Sequence, residues 1–393
     1  MTNDQNVSQL SDLAKLFFKL GAIGFGGPAA HIAMMEDEVV NRRQWIDRSH
    51  FLDLVGATNL IPGPNSTEMA IHIGYIRAGW LGLIVAGVCF IFPAVIITGG
   101  LAWIYVEFGT LPQVAPLLYG IKPAVLGVIL NAIWRLGKTA LKARKLLIIA
   151  LFVSLTLFLG LNEVVALLLG GLLGMIWLGG SDPGNPPQGG QTITIAAGLT
   201  SAGTLKLAAT TGTAVAGGVP LWQLGLFFLK VGSVLFGSGY VLVAFLEGGL
   251  VQEYGWLTQQ QLLDAIAIGQ FTPGPVLSTA TFIGYIIAGF PGAIVATVGI
   301  FLPSFFFVAA LNPLIPRLRS SKWSAAFLDA VNVSSIALMA VVTAKLAAAT
   351  LTDWLAISIA LIAAVLAIRL RINAAWLVLG GALIGWVANF IIF

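Results

Sequence analysis

The sequence predicts an all-α polytopic membrane protein with two homologous halves. Three observations predict it: too few charges for a soluble surface, an internal repeat offset by 211 residues, and bases that change sides between the two copies. Of the 393 residues, 58% are hydrophobic and 9% charged, against roughly 25% charged in ordinary soluble domains. Such a chain cannot cover itself with polar surface. Apolar runs long enough to cross a hydrocarbon core of about 30 Å recur along its length, so lipid is the expected solvent. The net charge of +4 comes mainly from Lys and Arg between those runs, which reads as an orientation signal and implies no nucleic-acid partner. The single cysteine, Cys89, lies inside an apolar run, which excludes an intrachain disulfide, a redox pair or a thiolate metal cluster. Met1 to Ser11 is polar and has no basic stretch or cleavage site, so the first apolar segment is expected to stay in the mature protein.

The repeat organises the chain. Lys19 to Pro64 pairs with Lys230 to Pro275 without a gap, 13 of 46 positions being identical, among them Lys19/Lys230, Phe25-Gly26/Phe236-Gly237, Glu36/Glu247, Asp53/Asp264 and Pro62-Gly63-Pro64/Pro273-Gly274-Pro275. After one residue is dropped, Gly74 to Pro93 pairs with Gly284 to Pro303, with 11 of 20 identical. This divides the chain into a first repeat at 1–180, a Gly/Pro and small-residue linker at 181–218, and a second repeat at 219–393. Residues 192–218 are only mildly apolar, and their composition fits a span or a surface segment equally.

Each copy holds about six apolar segments, and the charges between them alternate. After the first segment one copy has Arg42, Arg43 and Arg48, the other Gln252 and Glu253; after the third, one has Glu107, the other Arg317, Arg319 and Lys322. After the fourth, the first copy has Arg135, Lys138, Lys142, Arg144 and Lys145 against Lys345 alone, and Arg369 and Arg371 follow the fifth segment of the second copy. If bases mark the cytoplasm, the copies are inserted upside down relative to each other, the inverted-topology plan of many secondary transporters.

The first two segments of each copy are expected to be broken or re-entrant helices. Gly24-Phe25-Gly26-Gly27-Pro28 and Pro62-Gly63-Pro64 interrupt them in the first copy, Phe236-Gly237-Ser238-Gly239 and Pro273-Gly274-Pro275 in the second. Such residues end one helix and restart another. Unwound backbone at membrane depth persists only where protein or a water-filled cavity surrounds it, so four matched breaks point to a central site. The restarted helices would offer unpartnered N–H groups at the positive end of the helix dipole, beside Asn65, Ser66 and Thr67 in one copy and Ser278 and Thr279 in the other. That chemistry suits an anion. Gly26, Gly27, Gly237 and Gly239 would let its oxygens approach the main chain.

The stretches FFKLGAIGFGGPAAHI, LIPGPNSTEMAIHIGY and GIKPAV, with FLKVGSVLFGSGY, FTPGP and FLPSF in the second copy, resemble those of the chromate ion transporter family. The resemblance covers both halves and implies a long-chain, two-domain bacterial protein of the inner membrane that exports chromate dianion and confers chromate resistance. It departs from the pattern where the second copy has FGSG and the first FGGP.

Several titratable groups lie within apolar runs. Lys19 and Lys230 occupy one repeat position before each glycine break, where each would either face a dianion or snorkel to the interface. Lys122, in GIKPAV, corresponds to Asn332 and is expected to face the cavity, because an isolated intramembrane lysine is costly. Glu68 and His72 stand i, i+4 on the helix restarted at Pro64, and the corresponding stretch of the second copy is uncharged. They form either a proton relay or a structural hydrogen bond. Glu36, Asp37 and Glu38 read as a solvated helix end. No phosphate loop and no metal-ligand motif occurs in the sequence, so neither a cofactor nor a metal is expected. The expected partners are chromate or a similar tetrahedral oxyanion, protons and the bilayer; a homodimer is allowed. A sulfate carrier, a passive anion channel and an intramembrane enzyme acting on a lipid phosphate are the other readings.

Overall fold

The computed structural model describes residues 3–109, 111, 114–141, 143–179, 218–236, 239–311 and 321–392. Among these there is no strand. The first copy forms α1 (Asn3–Ile23), α2 (Pro28–Glu36) continued by a π turn (Asp37–Arg42), α3 (Arg48–Thr58), α4 (Asn65–Phe108), α5 (Ala115–Ala140), α6 (Arg144–Phe158) and α7 (Glu163–Gly179). The second copy repeats the order as α8 (Leu221–Val234), a 3-10 turn (Gly239–Val241), α9 (Leu242–Leu246), a π turn (Glu247–Glu253) and α10 (Gln259–Phe271). A 3-10 turn (Val276–Ser278) then leads into α11 (Thr279–Leu311), followed by α12 (Lys322–Thr350), α13 (Trp354–Arg369) and α14 (Ala374–Ile392). By length and composition α4, α5, α11 and α12 can cross a membrane, and the chain is a multi-pass membrane protein. The linker expected at 181–218, save Gly218, lies outside the described residues, as do Gly237 and Ser238, Lys142, Arg317 and Arg319.

Helices end where Gly and Pro cluster. α1 stops before Gly24 and α2 restarts at Pro28, α3 and α4 are separated by Pro62-Gly63-Pro64, and α10 stops before Pro273. A further break, not read from the sequence, lies inside α4 at Ala78 (φ −144°, ψ 27°) and Gly79 (φ 60°, ψ −145°), and the same pair of conformations recurs in α11 at Ala288 (φ −143°, ψ 27°) and Gly289 (φ 62°, ψ −153°). Positive φ at the second residue requires glycine there. At each break the chain folds back on itself: Gly74 lies against Gly82 and Ala86, and Gly284 against Gly292 and Ala296. In a straight helix, residues eight apart are about 12 Å apart along the axis. Each long helix is therefore a hairpin with a short first arm and a long second one. The second arms expose apolar side chains at every fourth residue, Trp80, Ile84, Val88, Phe92 and Ile96 in one and Phe290, Ile294, Val298, Leu302 and Phe306 in the other. Such a stripe runs along one helix face and is the surface offered to lipid.

The two copies interlock. α5 packs mainly on α13 and α14 of the second copy, and α12 on α6 and α7 of the first. Small residues permit these approaches: Gly120 against Gly381 and Gly385, Gly127 against Ala360 and Ala363, Gly170 against Ser334 and Gly174 against Ala330. Membrane helices lack a hydrophobic drive toward each other and associate through such close packing. The start of α5 lies beside the end of α12, where the Tyr119 hydroxyl donates to Asp353 Oδ1 at 2.6 Å. The Thr98 hydroxyl in the late part of α4 donates to Ser278 Oγ, just before α11, at 3.2 Å. The start of α5 thus lies beside the end of α12, its counterpart in the repeat.

Candidate functional site

The four breaks meet in pairs across the two copies. Gly63 N–H donates to the Leu235 carbonyl at 2.7 Å, and Gly274 N–H donates to the Gly24 carbonyl at 2.7 Å. Gly63 and Gly274 are one repeat position, Gly24 and Leu235 another, so each Pro-Gly-Pro break is bonded to the glycine break of the other copy. A reciprocal pair of contacts of this kind relates the halves by a pseudo-two-fold axis. Both central glycines have positive φ, 144° at Gly63 and 89° at Gly274, a conformation that a side chain would strain.

The two crossings differ in what surrounds them. Where Gly24 meets Gly274, a cavity of 690 Å³ opens. Phe25, Gly26 and Gly27 line it ahead of α2, and Thr272, Gly274 and Val276 line it ahead of α11. Two helix starts therefore border the space with their positive dipole ends beside it, while the N–H groups of Ala30, Thr272 and Gly274 are bonded within the protein. Arg135 and Lys138 from α5 and Arg371 from the α13–α14 turn add three cations, with Asn131, Tyr240 and Asn373 as neutral polar groups. No Asp or Glu is among the lining residues. Arg371 is held at φ 55°, a left-handed conformation that costs a side-chain-bearing residue about 1–2 kcal/mol. Lys138 Nζ also lies 4.7 Å from the centre of the Trp134 ring, a cation–π contact that stiffens this wall.

Where Leu235 meets Gly63, the neighbourhood is closed and acid-bearing. Ser66, Thr67, Glu68 and His72 are each at most 1% exposed. Glu68 Oε1 and the Ser304 hydroxyl both lie where a side chain on Gly63 would be. Thr67 Oγ1, both Glu68 oxygens, both His72 ring nitrogens and Ser304 Oγ have no hydrogen-bond partner. The Glu68–His72 hydrogen bond that i, i+4 spacing allows is therefore not formed. Native proteins rarely leave buried polar atoms unpaired, and a cluster of them marks capacity for a proton, a water or an ion.

Several residues named from the sequence are placed elsewhere. Gly26 and Gly27 line the cavity, but Lys19 does not: its ammonium is 3.1 Å from Glu38 Oε1, on a side chain 55% exposed. Lys230 is exposed and outside the lining. Glu38 is not a solvated helix end; it is 8% exposed and also meets Arg42 at 3.5 Å and Arg43 at 3.3 Å. Asn65 donates to Asn59 Oδ1 at 2.7 Å, and Thr279 Oγ1 donates to the Val276 carbonyl at 2.7 Å. Asn65 and Thr279 thus donate within the protein, while Ser278 Oγ accepts from Thr98. Gly239 is buried against Val276 and Leu277. Lys122 borders a second cavity of 380 Å³, its Nζ 3.9 Å from Asp264 Oδ1. Arg135, Lys138 and Arg371 were legible only as orientation signals.

A family model described as chromate transporter matches the chain twice, at residues 11–175 and 222–386, with the same 211-residue offset as the internal repeat. The chain is 33% identical over 382 residues to a chromate transport protein of Cupriavidus metallidurans, covering 96% of this chain and 93% of that one. It is 32% identical over 355 residues to a probable chromate transport protein of Synechococcus elongatus, covering 90% and 88%. Against a chromate transport protein of Pseudomonas aeruginosa it is 31% identical over 383 residues, covering 94% and 90%. No solved structure matches it. With both of its halves matched, the chain belongs to the chromate transporter family, a family of transporters and not of enzymes.

Proposed function

We propose that the protein is a secondary active carrier that exports chromate from the cytoplasm across a bacterial inner membrane and so gives chromate resistance. The observation that carries this reading is the 690 Å³ cavity, which combines two helix starts with Arg135, Lys138 and Arg371 and has no acid in its lining. A tetrahedral dianion needs this combination of positive field and donors. The relatives named chromate transport proteins support chromate as the anion.

The same cavity supports the inverted insertion of the copies. Arg135 and Lys138 follow the fourth segment of one copy and Arg371 the fifth of the other, yet they border one space. Parallel copies would separate them, and antiparallel α5 and α12 are what inversion requires. Taking bases as cytoplasmic, the cavity opens to the side from which an exporter loads. Glu68 and His72, with Thr67 and Ser304, are the proton-coupling group in this reading. Their crossing is related by pseudo-symmetry to the anion's, so a proton and the anion would occupy equivalent places on opposite sides.

The test is transport of labelled chromate and sulfate in proteoliposomes under separately imposed pH and voltage gradients. A carrier shows saturable uptake and counterflow, chromate preferred over sulfate, with rates that follow voltage and respond to pH. Ohmic current without counterflow would instead mean a channel, and preference for sulfate would overturn chromate as the substrate.

A further inference from the structure

Two cavities share two walls. The second half of α5 borders the 690 Å³ cavity from Val128 to Lys138, and the start of α5 borders the 380 Å³ cavity at Ala115, Tyr119 and Lys122. α10 does the same in the same direction, with Gln259, Gln260 and Leu263 at the smaller cavity and Gly269 and Gln270 at the larger. α5 and α10 pack on each other, so the cavities are successive levels of one seam. Along α10 only the stretch between Leu263 and Gly269 separates them, about 9 Å at 1.5 Å per residue.

Asp264 sits in that separation. It is 2% exposed, accepts a hydrogen bond from the Tyr105 hydroxyl on Oδ2 at 2.8 Å, and has no hydrogen-bond partner on Oδ1. Lys122 Nζ stands 3.9 Å from that free oxygen, close enough for Coulomb attraction and too far for a hydrogen bond. The pair joins α5 of the first copy to α10 of the second, and Tyr105 adds α4. An acid at this place repels a dianion, and a lysine held only by charge has donors left to offer one. A fully hydrogen-bonded pair would be a better strut and a worse gate.

Resting on the carrier reading above, we propose that the 380 Å³ cavity is the far half of the anion path and that Lys122 and Asp264 close the seam between the halves. A tetrahedral oxyanion arriving from the larger cavity takes Lys122 from Asp264. When it leaves into the smaller one, Asp264 recovers the lysine and the seam shuts. Asp264 thus acts on the anion through Lys122, as a positioning residue, and keeps the path from conducting freely.

Two measurements test this in a Cys89→Ala background. Gln260→Cys and Asn373→Cys are exposed in turn to a membrane-impermeant thiol reagent. They should react from opposite faces, and saturating chromate should change the Gln260→Cys rate by about threefold or more, as expected for a ligand that shifts a two-state element. Asp264→Asn should slow chromate counterflow roughly tenfold while equilibrium binding of chromate stays as tight as in the parent or tighter, and Asp264→Glu should restore most of the rate. A residue that merely stabilises the fold would lower binding, counterflow and Asn373→Cys labelling together. Reaction of both cysteines from one face, or parental counterflow in Asp264→Asn, overturns the proposal. Counterflow by the parent protein is the separate check on the carrier reading; if it is present and these arms fail, only the closure is lost.

Discussion

Replacing Arg371 with glutamine removes one of the three cations of the larger cavity and leaves its shape nearly unchanged. Taken as a sphere, a volume of 690 Å³ has a radius of about 5.5 Å, so an anion at its centre stands about that far from each lining charge. A dianion and a unit charge at this separation in a water-like dielectric attract by about 1.5 kcal/mol. The high dielectric is the right choice because Arg371 is exposed. The expected result is a roughly tenfold rise in the chromate Kd at low ionic strength. Near 1 M salt the screening length falls to about 3 Å, and the difference should vanish. The assay is equilibrium binding of labelled chromate to detergent-purified protein across a salt series, with Arg371→Lys as the charge-retaining control. An unchanged Kd at low salt would refute the electrostatic reasoning. So would a tenfold loss that persists at high salt, since that would report damage to the α13–α14 turn.

Gly63→Ala adds a methyl group that overlaps Glu68 and Ser304 at φ 144°, and it should cost about 2–4 kcal/mol, read as a lowered melting temperature in detergent. Lys230→Gln should leave the chromate Kd within about twofold, because an exposed charge away from the cavity contributes little; a larger loss would bring Lys230 back into the site. Glu68→Gln should keep chromate exchange between compartments of equal pH and lose the response to an imposed pH gradient; a parental response would leave Glu68 without a coupling role. Cysteines replacing Arg43 and Gln252, in a Cys89→Ala background, should label from opposite membrane faces, and labelling from one face removes the inverted arrangement.

What the sequence made legible was local punctuation. Gly24 to Pro28 and Pro62 to Pro64 are places where a helix must stop whatever surrounds it, and the helices do stop there. The turn at Ala78-Gly79 carried the same kind of signal, an Ala-Gly pair repeated at Ala288-Gly289, but single glycines are common inside membrane helices and do not mark a reversal by themselves. Side-chain roles were less legible because the two copies no longer share neighbours. Lys19 and Lys230 match by position, yet Lys19 meets Glu38, and the residue 211 positions beyond Glu38 is Gly249. Asp53 and Asp264 match as well; the first is exposed, the second buried beside Lys122. The inward turn of Arg135 and Lys138 depends on α13 and α14 packing against α5 from the other copy. A base near the end of an apolar segment looks the same in sequence whether it faces a cavity or the aqueous phase.

Divergence between the copies is what gives this architecture a use. Two identical inverted copies would present the same site to both faces, with no distinction between anion and proton. Here the Gly274 crossing has Ser278, Thr279 and Ala94 around it, while the Gly63 crossing has Thr67, Glu68, His72 and Ser304. One crossing is cationic and open, the other acid-bearing and closed. Direction does not have to come from this asymmetry. A dianion leaving a negative-inside cell gains about 2.3 kcal/mol per charge for each 100 mV, or about 4.6 kcal/mol per chromate. That is more than the attraction of about 1.5 kcal/mol worked out above for Arg371. In the carrier reading, the asymmetric residues would therefore govern which ion is carried and whether a proton accompanies it, and the membrane potential would govern which way the anion goes.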